Sequence, residues 1–572
     1  MNIILISICL SNLLAFIPHD FSIEDFNDMN QNIKARDLQG NLADDSIVDL
    51  RWLLDSNEST IFAGTSGGLS RIDLIDGSVV FSQYIDDNLP EGGNPAMDTF
   101  YLENTGETMI VVSGVLSEYI DFEDNDVPYG TGIAWSLDSG DSWNFSDQPI
   151  DQLPDCENVD QNECSPLATG CSWHPISGCS YQGSYVPFDW YGQTAYSNPI
   201  TTEFKNVTYD ISVDTDRNYI YIASWAGMLR RLKYTDFQPE WELVPLPEDI
   251  DQILDDDSFL CSQPINQSYV YDPVDGSGNN NHKVFSVQLD GDYIWVGTAN
   301  GINKGIIGQD GCIDWIHQTT LNSNIAGDWI IDIVIQEHQS FVNPRVWLIS
   351  REVVSPPVPH GLSYSDDFGS SWNIVNYFND IEEGGIEPSL VYNLYFTYTG
   401  SEFYASTSTG LFYMQNGNED VWQRFNDVPD DCYNDTYSVY SNIGDDFIGT
   451  SNGLIYRCND EFSDKECGNG WCEYDDYVAP ASTDKMSIFP NPANSFTNFM
   501  HKTESNNGTV DIFDFSMNKV HGDIECQQII NDDGEKFLRC DYDNIQLANG
   551  VYFCRLKYGG NDVWNKLMII KE

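Results

Sequence analysis

The sequence predicts an all-β protein in which a seven-bladed β-propeller precedes a small C-terminal β-sandwich. Short apolar runs separated by Gly-rich turns recur at intervals of tens of residues, with little helical periodicity between them. The chain has 572 residues, which is longer than one hydrophobic core usually serves. We therefore expect more than one domain.

The repeats share a phrase in which a short apolar strand precedes a small-residue turn ending in Gly, followed by a second strand. Five copies show it most clearly: IFAGTSGGLSRI (61–72), IYIASWAGMLRRL (220–232), IWVGTANGINKG (294–305), FYASTSTGLFYM (403–414) and FIGTSNGLIYR (447–457). An apolar run and a polar turn precede each copy, and a strand carrying Trp follows several. Four antiparallel strands per unit are typical of propeller blades.

The predicted propeller spans residues 46–458, after an N-terminal segment of residues 16–45. The first strands of its blades begin near Ser46, Asp98, Val207, Lys283, Asp328, Ser389 and Tyr437. Blades two and five are less regular than the others. The outermost strand of blade seven comes either from the stretch around Trp471 or from the segment before Ser46, and the sequence leaves both alternatives open.

The charge balance excludes one class of partner. The chain has 90 acidic and 25 basic residues, for a formal net charge of −65. Such a chain repels phosphate backbones and anionic membranes, so we expect no nucleic-acid partner.

The first residues, MNIILISICLSNLLAFIP, form an apolar run that has the length of a signal peptide and is too short for a transmembrane helix. We predict a signal peptide over residues 1–15, although no Lys or Arg precedes its apolar core. No other segment is long and apolar enough to cross a bilayer, so no transmembrane helix is expected. Removal of Cys9 with the signal leaves 13 of the 14 cysteines, an odd number in an oxidising compartment.

Two phrases in corresponding positions of blades two and five share the pattern SxDxGxxW. The residues are Ser136, Asp138, Gly140 and Trp143 in one copy, and Ser365, Asp367, Gly369 and Trp372 in the other. The pattern resembles the Asp-box, or bacterial neuraminidase repeat, a hairpin between the third and fourth strands of a blade. The residue chemistry agrees, because Gly permits positive φ, Ser and Asp oxygens accept from turn N–H groups, and Trp covers the hairpin. We therefore expect structural aspartates.

The Asp-box resemblance raises the alternative of a secreted sialidase-like glycoside hydrolase. Sialidases resemble one another in using three arginines to clamp a carboxylate, a Tyr with a Glu as the nucleophile pair, and an Asp as the acid. The Arg-Ile-Pro signature expected near the start is missing, because Arg71 is followed by Ile and Asp. A clamp built from Arg51, Arg345 or Arg351 stays open, and no catalytic residue is assigned.

Alternating strand direction divides the turns between the two faces of the disc. The first-to-second and third-to-fourth turns share one face, which carries both SxDxGxxW turns. The long insertions fall on the other face: residues 117–130, 147–205, 248–282 and 351–360. Long loops gathered on one side of a rigid scaffold usually carry function, so we expect the ligand to bind there.

The longest insertion contains four cysteines and a run of aromatic residues. The cysteines are Cys156, Cys164, Cys171 and Cys179. Their spacing has no CxxC pair, which favours two disulfides over a zinc site. The candidate ligand-binding residues are Tyr181, Tyr185, Trp190 and Tyr191. These rings either stack on a glycan or a peptide, or pack the loop against the disc.

No metal site and no cofactor are assigned. Asp and Asn crowd the loops DPVDGSGNNNH (272–282) and EDNDVPYG (123–130), but neither loop fits the EF-hand spacing. An irregular calcium site is the alternative.

The segment from residue 487 to residue 572 follows a Cys-containing linker, residues 459–486, and has its own strand pattern. It resembles the type A C-terminal sorting domain of the type IX secretion system, a small β-sandwich. The matching residues are Pro490, Asn491, Pro492, Gly550, Tyr552 and Lys566. The resemblance implies recognition by the type IX secretion machinery, export through the periplasm, and a body that is released or attached to the cell surface. The pairing of Cys526, Cys540 and Cys554 stays open.

The sequence therefore predicts an exported propeller that binds a glycan or protein ligand without catalysis. The alternative is the sialidase-like hydrolase.

Overall fold

The computed structural model describes most of the chain after residue 46. The residues that it describes are 38–39, 47–52, 59–75, 78–84, 86, 88–120, 125–151, 156, 164, 171–174, 178–181, 185–199, 201–202, 205–249, 258–259, 261, 269–273, 279–336, 343–351, 353–354, 357–358, 361–375, 378–380, 384–386, 391–396, 402–407, 410–415, 422–425, 436–442, 445–450, 453–457, 466–468, 471–474, 486–489, 496–503, 505–513, 519–530, 536–543, 547, 550–559 and 561–569. The predicted signal peptide lies outside the described residues.

The regular secondary structure of the described residues consists of strands, apart from one 3-10 turn at Asn280–His282. Sheet 1 contains β1 (Leu38–Gln39), β2 (Ile47–Trp52), β3 (Ser59–Thr65), β4 (Gly68–Ile75) and β5 (Ser78–Gln83). Sheet 2 contains β6 (Met97–Leu102), β7 (Glu107–Ile120), β8 (Asn125–Ser136) and β9 (Asn144–Ser146). Two hairpins follow: β10 (Cys171–His174) with β11 (Gly178–Tyr181), and β12 (Val186–Trp190) with β13 (Gln193–Ser197).

Two further sheets come from the middle of the chain. Sheet 3 contains β14 (Thr208–Asp214), β15 (Tyr219–Ser224), β16 (Met228–Lys233) and β17 (Trp241–Leu243). The short strands β18 (Ser258–Phe259) and β19 (Val270–Tyr271) come next, and β19 pairs with β13. Sheet 4 contains β18, β20 (Val284–Asp290), β21 (Tyr293–Thr298), β22 (Gly301–Ile307) and β23 (Ile313–Gln318).

Three more sheets complete this part of the chain. Sheet 5 contains β24 (Ile330–Gln336), β25 (Arg345–Ser350), β28 (Gly361–Ser365) and β29 (Asn373–Val375), with the hairpin β26 (Val353–Val354) and β27 (Pro357–Val358) inserted. Sheet 6 contains β30 (Phe378–Asp380), β31 (Gly384–Ile386), β32 (Val391–Phe396), β33 (Glu402–Thr407), β34 (Gly410–Gln415) and β35 (Trp422–Arg424). Sheet 7 contains β36 (Thr436–Asn442), β37 (Asp445–Thr450), β38 (Gly453–Arg457), β39 (Glu466–Gly468) and β40 (Trp471–Tyr474).

Sheets 1 to 7 share one topology, in which four strands pair antiparallel from a first to a fourth strand. The first strands are β2, β6, β14, β20, β24, β32 and β36, and each begins within two residues of the position expected from the sequence. Each first strand contacts the first strand of the next sheet, and β36 contacts β2. The first strands therefore surround a common axis, which gives a β-propeller-like fold.

The Gly of the repeated phrase allows neighbouring sheets to approach. A methyl group on Gly297 of β21 would lie 2.6 Å from the backbone oxygen of Ile330 in sheet 5. A methyl group on Gly449 of β37 would lie 2.7 Å from Ile47 Cγ2 in sheet 1. The Thr after the Gly closes the following turn, and Thr450 Oγ1 donates to the Gly453 carbonyl at 2.9 Å. The phrase thus combines packing between sheets with turn formation.

Segments outside the four-stranded pattern cover the outer edges of several sheets. β1 pairs with β5, β18 with β23, and β30 with β35. These additions pair edge N–H and C=O groups that an open edge would expose. In sheet 7 the fourth strand is β40, which pairs with β38 on one side and with the short β39 on the other. The stretch around Trp471 therefore completes this sheet, which extends beyond residue 458, the boundary expected from the sequence.

Strand direction defines two faces of the disc. Face A carries the first-to-second and third-to-fourth turns, including those at residues 136–144 and 365–373. Face B carries the second-to-third turns and the connections between sheets, including the long hairpin of β7 and β8.

The C-terminal segment forms an eighth sheet of its own. Its strands are β41 (Ser487–Phe489), β42 (Phe496–Lys502), β43 (Asn507–Phe513), β44 (Lys519–Ile530), β45 (Lys536–Asp543), β46 (Gly550–Tyr558) and β47 (Asn561–Ile569). The order is β41-β42-β45-β44-β43-β46-β47, with every pair antiparallel. β41 and β47 also contact each other, so the sheet curls around its own apolar cluster.

A search of the described residues finds no helix with the length and apolar character that a membrane crossing requires.

Candidate ligand site at the central channel

The turn at residues 136–143 uses its aspartate for internal hydrogen bonds. Asp138 Oδ1 accepts from Ser136 Oγ at 2.8 Å and from the Ser142 N–H at 2.9 Å. Asp138 Oδ2 accepts from Ser142 Oγ at 2.5 Å, and the Gly140 N–H donates to Ser136 Oγ at 2.8 Å. Gly140 has a φ of 93°, in the left-handed region. Both carboxylate oxygens therefore receive donors from the turn itself.

The turn at residues 365–372 repeats this arrangement. Asp367 Oδ1 accepts from Ser365 Oγ at 2.9 Å and from the Ser371 N–H at 2.8 Å. Asp367 Oδ2 accepts from Ser371 Oγ at 2.7 Å. The turn also bonds to the preceding sheet, because Lys304 Nζ donates to the Phe368 carbonyl at 2.6 Å. The second copy therefore joins two sheets as well as closing its turn.

Hydrogen bonding lowers the pKa of both turn aspartates. The Ser371 hydroxyl has the largest effect on the pKa of Asp367. Burial alone would raise the pKa of Asp138, but bonds from Ser142 and Ser136 lower it. Trp143 and Trp372 are buried beneath the turns. Such carboxylates stay ionised, and they hydrogen-bond within their own turns.

Trp190 does not lie where a ligand could reach it, which corrects its assignment as a binding residue. Its side chain is 3% exposed and packs among Tyr221, Tyr271 and Trp315 in the core between sheets 3 and 4. The Arg231 guanidinium lies 4.7 Å from its ring centroid. The packing role considered for these rings therefore describes Trp190.

Tyr191 lies at the tip of the β12–β13 hairpin and anchors it to face A. Its hydroxyl donates to the Asp310 carbonyl at 2.8 Å, in the third-to-fourth turn of sheet 4, and accepts from Arg231 Nη2 at 3.0 Å. The expectation that this part of the insertion lies on face B is therefore wrong for the hairpin tip. Tyr185 is 51% exposed. Tyr181 lies in β11, and the structure does not describe its side chain.

The four cysteines of the long insertion form two disulfides, as predicted. Cys156 pairs with Cys171, and Cys164 pairs with Cys179. These bonds staple the β10–β11 hairpin to the chain before it. The bond between Cys261 and Cys312 ties the connection before sheet 4 to a turn of that sheet.

The three arginines considered for a carboxylate clamp do not converge. Arg345 begins β25 at face A, and its Nε donates to Asp366 Oδ1 at 2.6 Å. Arg351 follows the other end of the same strand, at face B. Arg51 Nε donates to the Met97 carbonyl at 3.0 Å beside the common axis. Each guanidinium therefore serves a different part of the disc.

A group of carboxyl side chains lines the central axis, and the sequence interpretation missed it. Asp49, Asp210 and Asp332 each follow a β-bulge at the start of a first strand, and Asp98 lies near the start of β6. Each carboxylate accepts from the N–H of the next residue, as Asp332 Oδ1 does from Ile333 at 2.8 Å. A first strand has an unpaired edge facing the axis, and these bonds satisfy part of it.

Bonds and charges connect these residues across sheets. Asp210 Oδ2 accepts from the Val287 N–H of sheet 4 at 2.8 Å. Arg51 Nη2 lies 3.1 Å from Asp49 Oδ2, and Arg51 Nε lies 3.5 Å from Asp98 Oδ1. Burial is the main cause of the raised pKa of Asp49, and the charge of Asp332 in sheet 5 adds to it. The four carboxyl groups and Arg51 therefore lie together beside the common axis.

Burial raises the pKa values of these carboxyl groups. It raises the pKa of Asp49 to about 7 despite the opposing charge of Arg51, and it raises the pKa of Asp332 to about 6. Burial also raises the pKa of Asp98. Burial raises the pKa of Asp210 as well, and the charge of Asp332 adds to that increase. Burial alone would lower the pKa of Arg51, but its acidic neighbours raise it. Arg51 therefore stays charged while the carboxyl groups titrate.

Aromatic rings from sheets 3 to 5 lie together at the face B end of the axis, next to one apolar cluster. Trp225 lies in the turn between β15 and β16, and Trp329 precedes β24. Their ring centroids are 5.4 Å apart. Phe285 lies 5.2 Å from Trp225 and 5.6 Å from Trp329 between ring centroids, and Tyr209 lies 6.4 Å from Phe285. Phe285 is buried, whereas Tyr209, Trp225 and Trp329 are partly exposed. We call these four residues the mouth cluster.

The mouth cluster had a signal in the sequence. The first strands begin with an apolar or aromatic residue before a small polar one: Val48-Asp49, Tyr209-Asp210, Phe285-Ser286, Ile331-Asp332, Tyr392-Asn393 and Tyr437-Ser438. The first residue of each pair sits at the bulge. The sequence alone does not show where these pairs lie. The strand pairing and the contacts between first strands place them beside the axis.

No group of three or more His, Cys, Asp or Glu side chains within the described ranges is arranged to hold a metal ion. Of the sorting-motif residues, Gly550 and Tyr552 lie in β46 and Lys566 in β47. Pro490, Asn491 and Pro492 lie outside the described residues.

Comparison with known families identifies the C-terminal segment. Residues 487–571 match the secretion system C-terminal sorting domain family. This type IX sorting domain directs the protein to export, so its location is secreted or at the outer surface. No curated protein sequence matches the chain.

The solved structures to which the chain is similar have low identity to it. The β-propeller domain of Cps50 (Swd1) from Myceliophteria thermophila is 10% identical, has a TM-score of 0.38, and is matched over 72% of this chain and 95% of its own. A chain of the Mitotic Checkpoint Complex is 9% identical, with a TM-score of 0.35 and coverage of 73% and 89%. Sqt1 from Saccharomyces cerevisiae is 9% identical, with a TM-score of 0.27 and coverage of 64% and 96%.

Proposed function

We propose that this chain is an exported seven-bladed β-propeller that binds an extracellular glycan, carried by a C-terminal sorting sandwich. The observation that carries the proposal is the mouth cluster of Tyr209, Trp225, Phe285 and Trp329. Three partly exposed rings, packed around the buried Phe285, offer flat apolar faces to sugar rings, and nearby carboxyl groups offer acceptors for hydroxyl donors.

Seven blades are supported by the cyclic contacts of the first strands. Seven sheets share one topology, and sheet 7 returns to sheet 1 through β36 and β2. Ile47, Phe447 and Leu454 belong to one apolar cluster across that junction. A ring of this kind leaves an axial channel whose two mouths are natural binding positions.

The Asp-box assignment of the turns at 136–143 and 365–372 belongs to the same proposal. Their serine and backbone donors use the oxygens of Asp138 and Asp367, which leaves these carboxylates a structural role. We place the binding site on face B because the mouth cluster lies there, and not at the β12–β13 hairpin tip, which reaches face A.

A glycan array probed with the full chain tests the proposal. We expect Trp329→Ala to weaken binding of any recognised glycan by about tenfold or more, because a desolvated aromatic contact is lost. Phe237→Ala is the matched control, because Phe237 is 98% exposed in a turn on face A. Equal binding by both variants, or the absence of any bound glycan, would contradict the proposed function.

A further inference from the structure

The rings of the mouth cluster are tilted against one another. The planes of Trp225 and Phe285 meet at 35°, those of Phe285 and Trp329 at 37°, and those of Tyr209 and Phe285 at 51°. Part of Trp225 is already covered, because Lys283 Nζ lies 5.5 Å from its ring centroid. A flat surface can lie against one such ring at a time, whereas a twisted chain can follow several rings.

The hairpin of β7 and β8 stands on face B beside the mouth cluster. β7 pairs with β6 as far as Val112, and its pairing with β8 continues to Ile120. At about 3.3 Å per residue, this extension continues roughly 25 Å past the end of β6. The Lys205 N–H donates to the Pro128 carbonyl at 2.7 Å, so the hairpin lies against the start of sheet 3. A projection of this size blocks a flat, extended surface from reaching Tyr209.

The base of this hairpin adds a fifth ring to the aromatic surface. Tyr129 of β8 and Tyr209 of the mouth cluster pack against the same small apolar cluster, and both are partly exposed. That cluster consists of Val115, Leu116 and Val207. The rings therefore extend from sheet 2, across sheet 3, to Trp329 before sheet 5. Several sugar units joined in a chain match this surface, whereas one terminal sugar would leave most of it uncovered.

Charge and ring chemistry narrow the class of glycan. The formal net charge of −65 repels chains that carry carboxylate or sulfate groups, which favours a neutral glycan. Aromatic rings pack best on flat apolar faces, and pyranoses present such faces when their substituents and linkages are equatorial, as in β-1,4-linked chains.

From these contacts we infer that the mouth cluster binds a single soluble chain of neutral, β-1,4-linked sugars along its length, from Trp329 to Tyr129, and not the flat surface of a crystalline polysaccharide. The inference rests on the proposed function, because it specifies the form of the glycan bound at the same site. Tyr129 is the contact that distinguishes a longer chain from a shorter one.

Isothermal titration of the full chain with four soluble probes tests the inference. The probes are the trimer and the hexamer of β-1,4-linked glucose, and the trimer and the hexamer of β-1,4-linked N-acetylglucosamine. We expect at least one hexamer to bind about tenfold more tightly than its trimer, because the hexamer reaches both Trp329 and Tyr129. In sedimentation assays, microcrystalline cellulose and crystalline chitin should retain as little of the wild-type chain as of Trp329→Ala.

Tyr129→Ala is the test variant, and it should lower the affinity for the hexamer to that for the trimer. Tyr129→Phe keeps the ring and should bind the hexamer as the wild type does. Tyr101→Ala is the matched control, because Tyr101 is 44% exposed in the same sheet at its face A end. Should Tyr129→Ala fail to melt cooperatively, the ratio of hexamer to trimer affinity in the wild-type chain decides the question.

Four outcomes overturn the inference. These are equal affinity or no affinity for each hexamer and its trimer, strong retention of the wild-type chain by either crystalline polysaccharide, a hexamer preference retained in Tyr129→Ala, and a preference lost equally in Tyr101→Ala. If the array shows another bound glycan while neither hexamer binds, the inference fails and the proposed function stands. If the array shows no bound glycan, both fail.

Discussion

The aspartates of the face A turns and the aspartates beside the central axis have pKa values shifted in opposite directions. Asp138 and Asp367 are partly exposed, receive several hydrogen bonds, and have lowered pKa values. Asp49 and Asp332 line the channel, receive few donors, and have raised pKa values. The comparison teaches that donors, rather than sequence motif or overall acidity, decide whether a carboxylate is structural or available.

The largest effect should come from breaking a face A turn. Asp367→Ala removes the acceptor for Ser365 Oγ, the Ser371 N–H and Ser371 Oγ, and we expect it to lower the free energy of unfolding by roughly 1 to 3 kcal/mol. Asp138→Ala should behave alike, and glycan binding should survive in both. Chemical denaturation followed by tryptophan fluorescence measures the change. Lost binding with unchanged stability would make these carboxylates functional instead.

A smaller effect of opposite sign is expected in the channel. A raised folded-state pKa means that the folded protein holds more protons than the unfolded chain, so stability falls as pH rises from about 4 toward about 7. Asp332→Asn should therefore gain stability at about pH 8, on the order of 1 kcal/mol, because a buried charge is removed. The lowered pKa values of Asp138 and Asp367 act in the other direction, and their stabilisation is lost as pH falls below about 4.

Thermal melts of the wild type and of Asp332→Asn across pH separate these two contributions. The wild type should be most stable at mildly acidic pH, and the two curves should converge there. A wild-type curve that rises steadily from about pH 4 to pH 8 would show that the channel carboxyl groups are ionised without cost.

The smallest effect is expected from removing the sorting domain. Both sets of aspartates belong to sheets 1 to 5, whereas residues 487–571 have their own core. A chain ending at residue 484 should therefore keep a cooperative melt and the same pH dependence. Calorimetry of the truncated and full chains checks this, and a molten truncated chain would show that the two parts fold together.

The positions of the first strands could be predicted because the repeated phrase encodes local chemistry. Gly297 and Gly449 allow close approach of the next sheet, and Thr450 closes a turn, so the pattern reflects physical needs of each sheet. The fourth strand of sheet 7 could not be chosen from sequence, because Trp471 follows a long cysteine-containing connection. Its pairing with Arg457 depends on tertiary proximity.

The prediction that Trp190 binds the ligand failed for a similar reason. Trp190 and Trp225 are both tryptophans beside turns, and nothing local states that one is buried between sheets while the other stands at the channel mouth. The carboxyl groups of Asp210 and Asp332 come from distant segments that only ring closure brings to one axis. The sequence thus predicted the turns and the two disulfides of the long insertion. The carboxyl groups beside the axis could be recognised only once the ring of sheets was known.

The junction between sheet 7 and sheet 1 has a mechanical consequence. Sheet 1 is built from residues 38–83 and sheet 7 from residues 436–474, so neither sheet borrows a strand from the other end of the ring. Ile47 against Gly449 and the apolar cluster with Phe447 form this seam, and no backbone hydrogen bond between described residues crosses it. Among the sheets described, it is the junction that no stretch of chain crosses directly. A force that separates sheet 1 from sheet 7 is therefore resisted by side-chain packing around Ile47, without a chain connection to share the load.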